Sequence, residues 1–260
     1  METRIEKGKL ICTNVIQKEE FKILTDKMLS DHFPWYYSEH VVEDAQKMTE
    51  EKEQLQFQHN FHGVSDVTTE HSNWVMLYPI FNVLKANTFI RVKANNIPRT
   101  EKIIKHGFHA DTRVALSYTA IYYVNTTDGY TEFKDGTKVP SVENSMVVFP
   151  SYMEHTGTTC TDKRSRININ MNYLTNWHDE LTKDIRPEGA DKIIKLWENH
   201  QQEISMKIQL MMESHHFEYL HHTNTHPPLV PRPRSQNFGN VVRLQHLHSG
   251  SLSKVPANYL

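Results

Sequence analysis

From residue 88 onward the chain passes through short strand-like segments with no long helix between them. TFIRVKA (88–94) alternates apolar and polar residues, as a half-buried strand does, and ALSYTAIYYVN (115–125) is rich in β-branched and aromatic residues. Two Asp-Gly pairs in TTDGYTEFKDGTKV (126–139) are typical of turns between strands. SMVVFP and RININMNYL, between residues 145 and 174, complete the run. This pattern predicts a β-sandwich or jelly roll rather than a parallel α/β sheet.

Helical periodicity flanks this β-rich segment. Before it, HSNWVMLYPIFNVLKA (71–86) places large apolar residues on one helical face, which predicts a helix covering a sheet. After it, apolar residues again recur at helical spacing, and the end of the chain is punctuated by Pro, Ser and Gly, which is typical of a poorly ordered tail. We therefore expect one domain over 1–178 with its β-core at about 88–175, a helical C-terminal extension over 179–222, and a disordered tail over 223–260.

Charge and cysteine content exclude some classes of protein. Lys and Arg number 29 against 31 Asp and Glu, so the balance indicates neither a nucleic-acid surface nor a membrane surface. Two cysteines, Cys12 and Cys160, provide no disulfide framework and no cysteine-rich zinc site. The N-terminus lacks an apolar signal region, and no apolar run approaches the roughly 18 residues of a membrane span. We expect a soluble, cytoplasmic protein without a membrane partner.

The segment HGFHAD (106–111) joins two histidines and a carboxylate, although a chain with 17 histidines gives each one little weight. Side chains alternate across a strand, so an extended H-x-D segment presents His109 and Asp111 to one face. With His155, which follows the strand SMVVFP, these residues would form the facial triad of non-haem Fe(II) oxygenases, which leaves three coordination positions for co-substrate and O2. His106 is three residues before His109, so in an extended segment its side chain would point to the opposite face. We expect it to be exposed or to lie behind the ligands.

The 2-oxoglutarate co-substrate of such enzymes needs a cation for its far carboxylate, and arginine matches a carboxylate with its planar fork. The alternation of RININMN separates an apolar face from a polar one, the polar members being Arg166, Asn168, Asn170 and Asn172. A polar face along a core strand is typical of a cavity wall. Arg164 is two residues before Arg166, so its side chain would point to the same face of the strand. It lies nearer the turn, where arginine is more often exposed, and is therefore the second candidate.

Several separated segments, in order, resemble the 2-oxoglutarate and Fe(II)-dependent oxygenases, in the prolyl 4-hydroxylase-like branch and especially its uncharacterised phage-type and bacterial members. The resemblance runs from FPWYY (33–37) to NYL (172–174). Its core is formed by IRVKANN, HGFHAD, TAIYYVNTTDGYTEF, VPSVENSMVVFP and HTGTTCTDKRSRININMNY. It implies a mainly β fold with flanking helices (α+β), in which N-terminal and C-terminal helices surround a double-stranded β-helix, a jelly-roll and cupin-like core.

The resemblance also implies residue roles. His109, Asp111 and His155 would ligate Fe(II), and Arg166 would hold the carboxylate of 2-oxoglutarate, with ascorbate as an accessory reductant. Asn168 stands where the family's R-x-S motif often has serine, and it can also donate a hydrogen bond. A tyrosine hydroxyl often supports the same carboxylate in prolyl-hydroxylase relatives, and Tyr123 occupies that position; packing as a core aromatic is the other interpretation.

Substrate identity is the open part of the sequence interpretation. Peptidyl-prolyl or other amino-acid hydroxylation is favoured by the resemblance, while a nucleobase, a sugar or a small metabolite suits the triad equally. Loops 56–72 and 126–140 are the candidate specificity loops, because loops on a rigid β-scaffold carry specificity. His59 and His62 could contact substrate, but surface positions are more common for histidine. Two alternatives stay open: a non-catalytic metal-binding β-barrel and a cupin-like enzyme that uses no 2-oxoglutarate.

Overall fold

The structure is a computed structural model. It describes residues 1–39, 55–63, 71–112, 114, 116–175, 180–186 and 189–223. The predicted tail beyond Thr223, and most of the second half of the candidate loop 56–72, lie outside the described residues. Contacts within the chain divide it into two units, residues 1–201 and 202–260. The domain boundaries expected from the sequence stay a prediction.

Eleven strands dominate the described part of the chain. They are β1 (Glu2–Glu6), β2 (Lys9–Thr13), β3 (Tyr36–Ser38), β4 (Gln56–His62), β5 (Ala86–Pro98), β6 (Tyr118–Tyr123), β7 (Tyr130–Phe133), β8 (Lys138–Pro140), β9 (Ser145–Pro150), β10 (His155–Gly157) and β11 (Ser165–Thr175). The helices are α1 (Lys18–Met28), α2 (His71–Trp74), α3 (Tyr78–Leu84) and α4 (Ala190–Thr223), with short 3-10 turns at Val75–Leu77 and Lys183–Ile185. None of the described helices is long and apolar enough to cross a membrane.

The strands form two antiparallel sheets. Eight strands pair in the order β1-β2-β9-β6-β11-β5-β4-β3, and three pair in the order β10-β7-β8. Some strands pair with their neighbours in sequence, such as β4 with β5, while others pair across long connections, such as β2 with β9 and β5 with β11. This confirms the predicted fold class, a mainly antiparallel jelly-roll core with flanking helices.

The large sheet has one face towards the helices and one towards the small sheet. Leu24 of α1 and Ile80 of α3 pack with Ile169 of β11 in the larger apolar core. On the opposite face, Ile121 and Val147 pack with side chains of the small sheet, among them Phe133. Burial of these two apolar layers, at about 25 cal/mol per Å² of apolar surface, supplies the driving force for folding.

Strand β11 divides its side chains between the two faces as the sequence alternation predicts. Ile167, Ile169 and Met171 belong to the apolar core on the helix side. The opposite face carries Arg166 and the three asparagines, all buried, next to the small sheet. The predicted separation of faces on this strand is confirmed, and the polar row lies inside the sandwich.

Candidate metal centre and anion pocket

A pair of backbone hydrogen bonds fixes the two candidate histidine ligands. The amide of His109 donates to the carbonyl of His155 over 3.0 Å, and the amide of His155 donates to the carbonyl of His109 over 2.9 Å. This single antiparallel bridge connects a loop to the start of β10. The expectation that His109 and Asp111 lie in an extended strand is wrong. The bridge at His109 and a bend at Asp111 bring the two side chains together, and not the alternation of a strand.

The ligand atoms of the predicted triad converge. Those of His109, Asp111 and His155 all lie within 4.8 Å of one another. Nε2 of His155 lies 3.7 Å from Oδ2 of Asp111, and Nε2 of His109 lies 3.9 Å from Oδ1. Donors on one face of an octahedral ion are about 3 Å apart when each lies about 2.1 Å from the ion, so small movements of these side chains would bring them onto a single metal ion.

Backbone carbonyls set the tautomer of both imidazoles. Nδ1 of His109 is 3.0 Å from the carbonyl oxygen of Gly107, and Nδ1 of His155 is 3.1 Å from that of Met153. A carbonyl only accepts hydrogen bonds, so each Nδ1 carries the proton and each Nε2 keeps its lone pair. Because both Nε2 atoms face Asp111, the two rings are prepared as neutral metal ligands.

The carboxylate of Asp111 is buried, with 2 % of its side chain exposed. Nη2 of Arg91 donates to its Oδ1 over 2.9 Å, and Nδ2 of Asn170 lies 3.2 and 3.1 Å from its two oxygens. Burial opposes ionisation, but His155, Arg91 and Asn170 favour the carboxylate and hold the pKa of Asp111 well below its ordinary value. Burial lowers the pKa of His155, although the charge of Asp111 acts in the opposite direction. One anionic and two neutral donors fit a divalent transition metal.

Arg166 lies in a second buried pocket on the same face of β11, with 1 % of its surface exposed. Its Nε donates to Oγ of Ser141 over 2.6 Å, and its Nη2 donates to Oγ1 of Thr131 over 3.1 Å. The hydroxyl of Tyr123 donates to the same Thr131 oxygen over 2.9 Å, and its ring centroid is 5.6 Å from Cζ of Arg166. Burial lowers the pKa of Arg166 and raises that of Tyr123.

Within the described ranges Arg166 forms no ion pair with a carboxylate, and its hydrogen-bond acceptors are the hydroxyl groups of Ser141 and Thr131. A buried cation without an anionic partner is costly, and a bidentate carboxylate is the ligand that its planar fork matches. The pocket is therefore suited to an anion. Arg164, the second candidate, is exposed, which favours Arg166 as the buried cation.

The other predicted contact residue, Asn168, lies between the two sites on β11 and is 5 % exposed. Its Oδ1 accepts a hydrogen bond from Nδ2 of Asn95 on β5 over 3.0 Å. The described contacts of Asn168 thus place it beside Arg166 along the strand, but its role towards a carboxylate stays a prediction.

Two glycines leave space for the Arg166 side chain. A Cβ atom at Gly129 would lie 2.7 Å from Cδ of Arg166 and 2.6 Å from the carbonyl oxygen of Thr159. A Cβ atom at Gly157 would lie 3.4 Å from Nη1 of Arg166. Gly129 belongs to the first Asp-Gly pair, which the sequence indicated only as a turn; its φ is not positive, and the glycine is needed for close packing.

We predict that Gly129→Ala destabilises the protein by about 1–3 kcal/mol, the usual range for overpacking a buried site, and displaces Arg166. Gly157→Ala provides the matched control. Its Cβ would lie 3.4 Å from Nη1 of Arg166, which is a close contact but not an overlap, so it should have the smaller effect. Urea unfolding of both variants measures the difference. Equal stability of Gly129→Ala and the unsubstituted protein would contradict the packing described here.

Of the two positions expected for His106, the structure excludes the exposed one, because the residue is buried with 6 % of its surface accessible. Its amide donates to the carbonyl of Gly157 over 3.0 Å, so it is held behind the triad by the same strand β10 that carries His155. Burial, together with the charges of Arg166 and His109, lowers the pKa of His106 to about 3. The imidazole is therefore neutral at physiological pH.

The metal-free protein should lose stability as the pH falls below about 6.5, because the unfolded chain takes up a proton at His106 that the folded chain resists until about pH 3. The contribution of this residue between pH 6.5 and pH 5 is on the order of 1.5 kcal/mol. A His106→Leu variant should show a shallower decline in urea-unfolding free energy over this range. His32→Leu, at an exposed position, is the control; an unchanged slope in His106→Leu would contradict the prediction.

His59 and His62, the two histidines considered as substrate contacts in the candidate specificity loop, contact other parts of the chain. His59 is 1 % exposed, its Nδ1 is 2.9 Å from the carbonyl oxygen of Pro34, and its ring packs against Phe33 and Phe61. It belongs to the core rather than to the surface. His62 is exposed, with Nε2 3.1 Å from the carbonyl oxygen of Phe89. The described contacts of these two histidines do not include the triad.

Sequence reasoning missed four side chains of the two sites: Arg91, Ser141, Thr131 and the carboxylate-binding role of Asn170. A partial signal existed for two of them. Arg91 lies on the polar face of the alternating TFIRVKA segment, and Asn170 lies in the polar row of β11. Ser141 and Thr131 are ordinary loop and strand residues whose role depends on the tertiary contact with Arg166.

No protein-family model matches the sequence, and no curated protein matches it. Solved structures that are similar to the chain include a prolyl hydroxylase from Trichoplax adhaerens in complex with a hypoxia inducible factor peptide (11 % identity, TM-score 0.49, 65 % of this chain and 84 % of that one). A Pseudomonas putida prolyl-4-hydroxylase has 14 % identity and a TM-score of 0.42 over 65 % of this chain and 93 % of that one. A Burkholderia pseudomallei oxidoreductase of the 2OG-Fe(II) oxygenase family has 10 % identity and a TM-score of 0.43 over 65 % and 86 %.

Proposed function

We propose that the protein is an Fe(II)- and 2-oxoglutarate-dependent dioxygenase that hydroxylates its substrate. The proposal is carried by two features beside the polar face of β11: a His-Asp-His cluster, and a buried arginine whose described contacts include no carboxylate. A metal that keeps open positions beside an anion pocket suits a co-substrate with a keto acid at one end and a carboxylate at the other.

Different residues would hold the metal and the co-substrate. His109, Asp111 and His155 would hold Fe(II) on one side and leave the other side open. Arg166 would bind the far carboxylate of 2-oxoglutarate through its fork, oriented by Ser141 and Thr131. Burial of the pocket excludes water, which strengthens these charge-assisted hydrogen bonds. Tyr123 and Asn168 are the flanking contacts that we assign to the same co-substrate.

When bound, iron and 2-oxoglutarate supply the oxidative chemistry: 2-oxoglutarate, O2 and a substrate C–H bond give succinate, CO2 and a C–OH bond. We favour the side chain of a peptidyl proline or of another amino acid as substrate, and an oxygenase acting on a nucleobase, a sugar or a small metabolite is the alternative. Ascorbate is the accessory reductant that we expect to maintain Fe(II). The protein's share is ligand geometry, co-substrate placement and exclusion of water.

The test is succinate formation from 2-oxoglutarate by the purified protein with Fe(II), O2 and ascorbate. We expect slow turnover without substrate, and faster turnover when a panel of peptides, amino acids, nucleosides and sugars includes the substrate. Asp111→Ala is the control, because it should abolish both. If no turnover occurs and calorimetry detects no 2-oxoglutarate binding to the metal-loaded protein, the proposal is wrong, and a metal-binding β-barrel or a cupin-like enzyme is the better interpretation.

A further inference from the structure

Arg91 connects the carboxylate of Asp111 to the large sheet. It lies on β5 opposite Asn172 of β11, and its Nη2 donates to Oδ1 of Asp111 over 2.9 Å. Its Nε donates to Oδ1 of Asn172 over 3.0 Å. The guanidinium thus donates through Nε to a neighbouring strand and through Nη2 to the carboxylate, so two hydrogen bonds define its orientation.

Further hydrogen bonds extend behind this contact. Nδ2 of Asn172 donates to Oγ1 of Thr119 on β6 over 2.9 Å, and Oγ1 of Thr119 donates to Oγ of Ser151 over 3.0 Å. Asn172, Thr119 and Ser151 are buried, with no more than 1 % of each exposed. A buried polar chain in which each member is hydrogen-bonded keeps its side chains in fixed orientations. The position of Arg91 is therefore determined by three strands and the turn after β9.

We propose that Arg91 is a positioning residue for the metal ligand Asp111, an inference that rests on the proposed function. Arg91 donates to Oδ1, the oxygen 3.9 Å from Nε2 of His109, and Oδ2 lies 3.7 Å from Nε2 of His155. The hydrogen bond from Arg91 therefore fixes how the carboxylate faces the two imidazoles, and it disfavours binding of one ion by both oxygens because it uses a lone pair of Oδ1. Asn170 contacts both oxygens and keeps the plane of the carboxylate fixed.

Binding through one oxygen has a chemical consequence. Three protein donors leave three of six octahedral positions open, whereas a second bond from Asp111 would use one of them. A keto acid that chelates through two atoms would then fill the remaining two and leave no position for O2. The hydrogen bond from Arg91 to Oδ1 competes with such a second bond and so favours binding of the ion through a single carboxylate oxygen.

The experiment measures Co(II) binding to the full-length protein by calorimetry and by visible absorption, whose bands report coordination number and geometry. Arg91→Met removes both hydrogen bonds but retains an unbranched stem. We expect it to weaken Co(II) binding about 10- to 100-fold, the range for residues that orient metal ligands, and to alter the absorption bands. Arg91→Lys should restore part of the affinity, because an ammonium group keeps the charge but not the fork.

Asn172→Leu separates positioning from charge, since it removes the residue that orients Arg91 and leaves Arg91 itself in place. We expect an affinity loss of about tenfold in the same direction, with the same change in the bands. Arg99→Met, at an exposed arginine just after β5, is the matched control and should bind Co(II) as the unsubstituted protein does. Thermal unfolding of each variant identifies any that fail to fold, in which case Arg91→Lys and Asn172→Leu decide.

The results distinguish this inference from the proposed function. If Asp111→Ala binds Co(II) as tightly as the unsubstituted protein, the metal centre itself is wrong and the role of Arg91 is wrong with it. If Asp111→Ala loses Co(II) while the Arg91 and Asn172 variants keep unchanged affinity and absorption, only the positioning role is overturned. Loss of affinity with altered bands in these variants supports it.

Discussion

Replacement of Arg166 by alanine is expected to abolish measurable 2-oxoglutarate binding while metal binding is retained. The arginine is 1 % exposed, and its described partners are the hydroxyls of Ser141 and Thr131, which cannot neutralise a carboxylate. Removing one member of a buried, hydrogen-bonded charge pair typically costs about 2–5 kcal/mol of binding free energy. Calorimetry of 2-oxoglutarate with Mn(II)-loaded protein in the absence of O2 measures the loss, and a Mn(II) titration of the same variant verifies that the ion still binds.

Arg164→Ala is the matched control for this experiment. It removes an arginine two residues away that is exposed, so it should change the 2-oxoglutarate affinity little. Arg166→Lys should fall between the two, because it keeps a charge but loses the bidentate fork. The assignment moves to Arg164 if Arg166→Ala binds the co-substrate as the unsubstituted protein does and Arg164→Ala does not.

Asp111→Ala is expected to lose the metal, with a decrease in affinity beyond the roughly 100-fold that accompanies loss of an outer-shell partner. Asp111 is the only anionic member of the triad, and the two imidazoles on their own provide two neutral donors. The measurement is a Co(II) or Mn(II) titration, followed by succinate production from 2-oxoglutarate, which should be absent.

The control for Asp111 comes from the other described cluster with potential ligand atoms, formed by Asp128, Cys160 and Asp162. Its aspartates are exposed, and Asp128 receives hydrogen bonds from Thr161, so its geometry has a structural explanation. Asp162→Ala should leave metal affinity unchanged. The opposite result, loss of the ion in Asp162→Ala and retention in Asp111→Ala, would relocate the metal centre.

The alternation of apolar and polar residues made the faces of single strands predictable. Residues two apart on a strand share a face, so RININMN alone separated Ile167 and Ile169 from Arg166 and Asn168, and the structure confirms that separation. The run of short strands likewise predicted the antiparallel, mainly β architecture. The convergence of His109, Asp111 and His155 followed from the combination of ligand chemistry with the order of the family's motifs, and the structure brings these residues together.

Contacts between distant segments were not predictable in this way. Arg91 on β5 contacts Asp111 in the loop before β6, and no local pattern specifies this contact. His59 and His106 are buried although histidine is usually exposed, because neighbouring strands and aromatic rings enclose them. The sequence indicated Gly129 only as a turn residue. In the structure its lack of a side chain leaves the space that Arg166 occupies.

The two faces of β11 have a consequence for how this sequence can change. A strand backbone is nearly inextensible, so a shift that accommodates a larger or smaller residue at Ile169 also moves Asn168 and Asn170 on the reverse side. Substitutions under the helices, far from any ligand, are thereby transmitted to the carboxylate of Asp111. We expect variants of this protein to tolerate a change of side-chain volume at the surface of α1 more readily than at the apolar positions of β11.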